Sequence, residues 1–266
     1  MSYDFKLINL DIEENVAVIT LNDPTAMNGF SLNMLVEMTD AMELVEDPAN
    51  GVRCLVMTGA GKAFSSGANL NDPARKPTIT GKQDRGLFLE KWYMPLYLRL
   101  ADLRFPFLTA VNGACAGVAV SFALAGDMIL AARSAYFLQA FRRIGLIPDG
   151  GATFVIPRLI GKVRAMELML LGERLPAEKA LEWGMINRVY DDADLMPETM
   201  KLAKDLAEGP FSLGLMRKAV CEGMNNTYIE QIYLERKYQR MCGESYDNAE
   251  GVLAFKEKRP PKFLGR

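Results

Sequence analysis

One stretch, residues 112–127, constrains the fold of this chain more than any other. It reads NGACAGVAVSFALAGD, and its Asn112-Gly113 start favours a tight turn before an apolar run that is predicted to be helical. A helix that follows a turn leaves its first N–H groups without intrahelical acceptors. Those N–H groups can stabilise a developing negative charge. The alternative, which this stretch alone favours, is a glycine-rich core helix packed closely on its neighbours.

Strand-length apolar runs alternate with helical patterns before the chain becomes mostly helical, and this order predicts an α/β fold. The predicted strands are Lys6–Ile12, Val16–Leu21, Val52–Thr58, Phe107–Val111, Met128–Ala132, Tyr136–Gln139 and Ile186–Val189. The predicted helices are Leu32–Glu46 (with Ser31 as N-cap), Leu87–Leu103, Ala152–Leu159, Val163–Leu171, Ala177–Trp183, Leu195–Ala207, Phe211–Met224, Tyr228–Met241 and Tyr246–Phe255. Within Leu87–Leu103, Pro95 is expected to kink the helix or to mark a shift in its start. The polar segment Asn71–Arg85 is predicted to be a mobile segment or lid. We expect one continuous unit, with a core over residues 1–200 and a helical region over 201–266.

The composition is that of a folded globular protein. The 266 residues carry a net charge of −2, half of them are apolar, and no basic excess suggests nucleic-acid binding. The longest apolar stretch, Ala114–Ala125, is too short to span a bilayer, and the N-terminus has no secretory pattern. We therefore expect a cytoplasmic protein that contacts neither membrane nor nucleic acid.

The chain has no histidine, and this absence narrows the chemistry sharply. It excludes Ser-His-Asp and Cys-His nucleophiles, histidine metal ligands and a histidine base. The four cysteines show no C-x-x-C spacing, so buried thiols are expected rather than disulfides or a metal site. Acid–base chemistry is left to carboxylates, tyrosine, lysine, cysteine or backbone dipoles.

Two glycine-rich loops, Gly59–Leu70 and Asn112–Gly117, each follow a predicted strand. Neither matches a dinucleotide fingerprint, and no phosphate-binding G-x-x-x-x-G-K-[ST] sequence occurs. We expect both loops to donate backbone N–H groups to one oxygen of a ligand.

Asp149 is the candidate acid–base group. It lies between Ile147-Pro148 and Gly150-Gly151, where apolar neighbours and a turn could raise its pKa and fix its direction. A plain turn is the competing interpretation, because Asp-Gly is a common turn pair. The residues alone favour the turn.

Four segments, in order along the chain, carry a family resemblance. They are residues 62–70 (KAFSSGANL), 111–117 (VNGACAG), 147–151 (IPDGG) and 255–263 (FKEKRPPKF). Together they resemble the crotonase (enoyl-CoA hydratase/isomerase) superfamily over essentially the whole chain. The resemblance implies a spiral of ββα turns with a helical C-terminal trimerisation region, assembled as a homotrimer or a dimer of trimers. It also implies an acyl-CoA thioester substrate of fatty acid metabolism, with coenzyme A as part of the substrate and no tightly bound cofactor.

The resemblance implies specific site residues. The oxyanion hole would consist of the N–H groups of Ala68 and Val118, although family members usually have glycine at the second position. A valine there is expected to narrow the site for the acyl group. The remaining residues implied to bind CoA are Lys62, Ala63, Phe64 and Leu70, with Phe255 and Lys258 contributed by a neighbouring subunit. A solvated basic tail is the alternative for the C-terminal lysines.

The chain departs from the hydratases of this family at two positions. Ser121 and Phe141 stand where those enzymes carry their two glutamates. Water addition benefits from two such groups, whereas moving a double bond from C3 to C2 requires one base that carries the proton. Asp149 matches the aspartate of several family isomerases, so enoyl-CoA isomerisation is the leading hypothesis. An altered hydratase and a weakly catalytic acyl-CoA-binding protein are the alternatives, and the related dehalogenase chemistry, which needs histidine, is disfavoured.

Overall fold

The computed structural model describes residues 4–74, 80–82 and 84–266. The strands in this part of the chain are β1 (Ile8–Glu13), β2 (Val16–Leu21), β3 (Cys54–Gly59), β4 (Ala63–Ser65), β5 (Phe107–Val111), β6 (Ala114–Ala116), β7 (Met128–Ala132), β8 (Tyr136–Leu138), β9 (Arg174–Pro176) and β10 (Arg188–Tyr190). They form one sheet of order β1-β2-β3-β5-β7-β10 and a second of order β4-β6-β8-β9. Residues 75–79 and 83 of the predicted lid lie outside the described residues.

Successive pairs of strands along the chain add one strand to each of the two sheets. The pairs β3–β4, β5–β6 and β7–β8 each place their first strand in the larger sheet and their second in the smaller one. The strands of the repeat are parallel within each sheet, so β3, β5 and β7 run side by side, as do β4, β6 and β8. The pairs β1–β2 and β8–β9 are antiparallel. Helical segments connect one pair to the next. This arrangement confirms the expected α/β spiral of ββα turns.

The helices are α1 (Leu32–Glu46), α2 (Arg85–Phe88), α3 (Met94–Asp102), α4 (Val118–Ala123), α5 (Ala152–Leu171), α6 (Ala177–Glu182), α7 (Leu195–Ala207), α8 (Ser212–Gly223), α9 (Tyr228–Gly243) and α10 (Tyr246–Glu257). The predicted N-cap of α1 is confirmed, since the Ser31 hydroxyl accepts the Met34 N–H at 3.3 Å. The two helices predicted on either side of Gly161 form one span, α5, which is broken by the left-handed φ of 77° at that glycine. None of the described helices is long and apolar enough to cross a membrane.

Two predicted helical segments are divided in the structure. The one over 87–103 consists of α2, a π-helical turn over Leu89–Tyr93, and α3, which starts next to Pro95 as the proline predicted. Pro95 lies in the first turn of α3, where its missing N–H is tolerated after the wider turn. The apolar run of residues 114–125 is not one helix, because Ala114–Ala116 pairs with the smaller sheet as β6. Gly117, at φ 57°, then turns the chain into the short helix α4.

Arg217 anchors α8 to the spiral of sheets. Its side chain is only 4% exposed and forms an ion pair with Asp127 at 2.7 Å. The same guanidinium donates to the backbone carbonyls of Leu100, Ala101 and Leu103 at the end of α3. Burial raises the pKa of Asp127, and the Arg217 charge opposes that shift. One arginine therefore neutralises a buried carboxylate and satisfies the last carbonyls of a helix.

Glu250 holds the C-terminal segment against α10. Its carboxylate accepts both Arg259 Nη atoms, at 2.6 and 2.9 Å, and the Lys262 N–H at 2.8 Å. The hydrogen bonds from Arg259 are the main cause that lowers the pKa of Glu250 from 4.5 to about 2. Because the charged carboxylate is the form that stabilises the fold, the contribution of Glu250 to the free energy of unfolding is complete above pH 4.5. This contribution is lost as the pH falls towards 2.

Replacing Glu250 with glutamine is therefore expected to make the free energy of unfolding depend less on pH between 4.5 and 2. The variant should be less stable than the wild type at pH 7, and the difference in free energy of unfolding should shrink at pH 3. Urea unfolding of both proteins at the two pH values measures this difference. An equal difference at both pH values would show that the ion pair does not titrate as described.

Candidate active site

The two glycine-rich loops lie side by side because β4 pairs in parallel with β6, with Ala63 opposite Ala114 and Ser65 opposite Cys115. The two loops lie so close together that there is no room for side chains at Gly67 and Gly113. A Cβ on Gly67 would lie 2.5 Å from the Ala116 oxygen and 3.5 Å from the Val118 nitrogen, and one on Gly113 would lie 2.2 Å from the Lys62 oxygen. Glycine at these positions thus lets the two loops meet.

Ala68 and Val118 present their N–H groups where the loops meet. Val118 is the first residue of α4, so its N–H has no intrahelical acceptor. On either side of Ala68, Gly67 accepts the Phe30 N–H at 2.8 Å and Asn69 donates to the Phe30 oxygen at 3.0 Å. Within residues 4–74, 80–82 and 84–266, neither the Ala68 nor the Val118 N–H donates to a protein acceptor. Both groups are thus available as donors to a ligand.

Asn28 holds the first loop in place, and sequence reasoning missed it. It is fully buried in the left-handed region at φ 54°, and its amide donates to the oxygens of Ala60 and Ala63 at 2.9 and 2.8 Å. The Ser65 hydroxyl donates to the Asn28 backbone oxygen at 2.6 Å and accepts the Gly67 N–H at 3.1 Å. The Asn-Gly pair at 28–29 was the available signal, because asparagine tolerates this conformation.

Asp149 is attached to α4, the helix that begins with the Val118 N–H. The Ser121 hydroxyl donates to the Asp149 backbone oxygen at 2.8 Å, and Ser121 lies on the first turn of α4. Gly150 and Gly151, at φ 61° and 85°, form the turn after the aspartate, whose Oδ1 is buried. The segment is therefore a turn, as the residues alone favoured, and this turn lies beside the proposed oxyanion donors.

Tyr97 on α3 completes this cluster. Its hydroxyl donates to the Val118 oxygen at 3.3 Å, and its ring stacks on Phe122 with centroids 4.5 Å apart. Burial, followed by the negative charge of Asp149, raises the pKa of Tyr97. The hydroxyl thus stays protonated at neutral pH, close to the aspartate.

The two positions matched to hydratase glutamates are buried and carry no carboxylate. Ser121 uses its hydroxyl on the Asp149 backbone, and Phe141 is 6% exposed in a 3-10 turn over residues 140–144. Among the described residues there is no cluster of His, Cys, Asp and Glu side chains able to hold a metal ion. Of the three matched positions, 121, 141 and 149, only 149 carries a carboxylate, and Ser121 binds the backbone of that aspartate to α4.

The residues expected to bind CoA fall into three groups. Lys62 and Leu70 are exposed at the two ends of the first glycine-rich loop. Ala63 and Phe64 have buried side chains, and their carbonyls accept the Asn28 amide. Phe255 and Lys258 are exposed at the end of α10, and the groove that Phe255 lines contains no residue of the two loops within the part of the chain described. The single chain therefore does not bring this C-terminal pair to its own Asp149.

Comparison with known proteins supplies independent evidence. The model of the enoyl-CoA hydratase/isomerase family matches residues 11–266. The chain is 45% identical over 256 residues to the 1,2-epoxyphenylacetyl-CoA isomerase of Escherichia coli, covering 96% of this chain and 97% of that protein. It is 41% identical to a probable enoyl-CoA hydratase of Rhodobacter capsulatus, over the full length of both.

Solved structures agree with the fold. An enoyl-CoA hydratase structure from Geobacillus kaustophilus superposes with a TM-score of 0.88 at 34% identity, covering 99% of this chain and all of the other. A putative enoyl-CoA hydratase from Streptomyces coelicolor gives a TM-score of 0.90 at 27% identity, with coverage of 99% and 96%. The matched family model, the similar sequences and the crotonase-type spiral lead to one conclusion: the chain belongs to the enoyl-CoA hydratase/isomerase family.

Proposed function

We propose that this enzyme is an acyl-CoA isomerase in which Asp149 carries the proton. The observation that supports this most strongly is the hydrogen bond from Ser121 to the Asp149 backbone oxygen, which fixes the backbone of this aspartate to the helix that presents the Val118 N–H. The positions matched to hydratase glutamates hold Ser121 and Phe141 instead. One base beside an oxyanion hole suits proton transfer between two carbons of an acyl chain better than water addition.

The proposed reaction begins when the thioester oxygen accepts hydrogen bonds from the Ala68 and Val118 N–H groups. Each preorganised donor of this kind is worth about 3–4 kcal/mol in a site that excludes water. The Asp149 carboxylate then removes a proton from C2 of a 3-enoyl thioester, and the electron pair delocalises into an enolate. The protonated carboxyl returns the proton at C4, which moves the double bond to C2–C3 and restores the carboxylate.

The binding of the coenzyme is also part of this proposal. Lys62 and Leu70 are exposed beside the oxyanion loop, so their side chains are available to CoA, whereas Ala63 and Phe64 support the loop from behind. Phe255 and Lys258 lie at the far end of α10, so they would reach the site of a neighbouring subunit. This division of roles requires the homotrimer or dimer of trimers that the resemblance implies.

A second candidate is isomerisation of a CoA thioester with an aromatic acyl group. The Escherichia coli relative is a 1,2-epoxyphenylacetyl-CoA isomerase. This relative is what supports the second candidate. The aromatic rings behind the Asp149 turn, Phe122 stacked on Tyr97 and Phe30 with its centroid 4.6 Å from that of Phe122, belong to the core, since Phe30 and Phe122 are fully buried.

One purified sample assayed with three thioesters separates these functions. We expect isomerisation of a 3-enoyl-CoA, or of 1,2-epoxyphenylacetyl-CoA, to exceed hydration of a 2-enoyl-CoA. Faster hydration would overturn the proposal in favour of a hydratase. If the thioesters bind without turnover, and no C2 proton exchanges with deuterated solvent, the chain is an acyl-CoA-binding protein.

A further inference from the structure

Tyr97 contacts both halves of the proposed catalytic apparatus. Its hydroxyl donates to the backbone oxygen of Val118, the residue whose N–H is the second oxyanion donor. On its other side the same hydroxyl touches the Asp149 turn, because a Cβ added to Gly150 would lie only 2.5 Å from Tyr97 Oη. This added Cβ would also lie 2.8 Å from Ser121 Cβ, so the turn is enclosed between Tyr97 and α4.

The ring of Tyr97 is itself held in place. It stacks on Phe122 with an interplanar angle of 29°, and Phe122 is fully buried on α4. The hydroxyl therefore has little freedom to move relative to that helix. The hydroxyl donates to α4 at Val118 and packs against Gly150 of the turn, beside the Ser121 hydroxyl that binds the Asp149 carbonyl.

We propose that Tyr97 is a positioning residue that sets the placement of Asp149 relative to the Val118 oxyanion donor. This inference rests on the proposed role of Asp149. The tyrosine does not exchange protons with substrate. Its hydroxyl keeps the carboxylate and the oxyanion hole at one fixed separation, and misplacement of a catalytic group by about 1 Å can cost roughly 100-fold in rate.

Tyr97→Phe tests this role because phenylalanine keeps the stacked ring and removes only the hydroxyl. Tyr190→Phe is the matched control, since the Tyr190 hydroxyl also makes a 3.3 Å hydrogen bond, to Arg188 on the edge strand β10. We expect Tyr97→Phe to lower kcat by about 10- to 100-fold with KM nearly unchanged. The control should retain the kcat and the KM of the wild type.

The outcomes distinguish this inference from the proposed function. If Tyr97→Phe matches Tyr190→Phe in kcat and in KM, the positioning role is wrong, whatever Asp149 does. A drop in activity that only parallels a lower melting temperature and a higher KM would also overturn it, because that is the signature of a general structural role. Retained turnover in an Asp149 variant would instead refute the proposed function.

Discussion

Replacing Asp149 with asparagine is expected to reduce isomerisation by about 10²- to 10⁴-fold, the usual contribution of a positioned acid–base group. Binding of an acyl-CoA should change little, because the Ala68 and Val118 N–H groups proposed to hold the thioester belong to the backbone of other segments. The change removes the proton carrier and keeps nearly the same shape. The loss should therefore appear in kcat rather than in KM.

The measurement needs two variants and a control. Asparagine before Gly150 can hydrolyse back to aspartate, so Asp149→Ala should be assayed beside it. Asp205→Asn on the exposed face of α7 is a matched control that should keep wild-type activity. Turnover within tenfold of the wild type in both Asp149 variants would exclude this residue as the proton carrier.

Replacing Arg217 with methionine is expected to lower the free energy of unfolding by about 3–5 kcal/mol, the typical result of removing one partner from a buried ion pair. The change leaves the Asp127 charge without its partner. It also removes the donor from three backbone carbonyls at the end of α3. Methionine retains most of the apolar stem, so lost packing contributes little.

Chemical denaturation of Arg217→Met beside Arg240→Met measures this effect. The Arg240 side chain is 76% exposed and pairs with Glu244 four residues away on the surface. Its loss should cost no more than about 0.5 kcal/mol. Similar losses in both variants would show that Arg217 does not anchor α8 to the sheets.

The elements predicted well are those that local sequence specifies. Helices α1 and α7 have the predicted bounds, because apolar residues recur at helical spacing over several turns and, in α1, Ser31 caps the start. Strands β4 and β6 were missed because they lie inside the two glycine-rich loops, and β9 because its three residues, Arg174–Pro176, include only one apolar side chain besides proline. They form by pairing with distant strands, as β6 does between β4 and β8. Only the assembled sheet specifies them.

The candidate site also contains residues that local sequence predicts and residues that it does not. Ala68, Val118 and Asp149 could be named from short motifs, and the pairing of β4 with β6 brings the first two together. The supporting residues could not be named, because their roles depend on contacts between distant positions. Asn28 binds a carbonyl 35 residues away, and Tyr97 binds one 21 residues away. No local pattern encodes such contacts.

A crystal structure of the protein with a non-reactive acyl-CoA analogue would test the proposed mechanism most directly. We expect the thioester oxygen to lie about 3 Å from both the Ala68 and the Val118 nitrogens. The Asp149 carboxylate should face C2 and C4 of the acyl chain. A thioester oxygen bound elsewhere, or a different carboxylate facing C2, would contradict the mechanism.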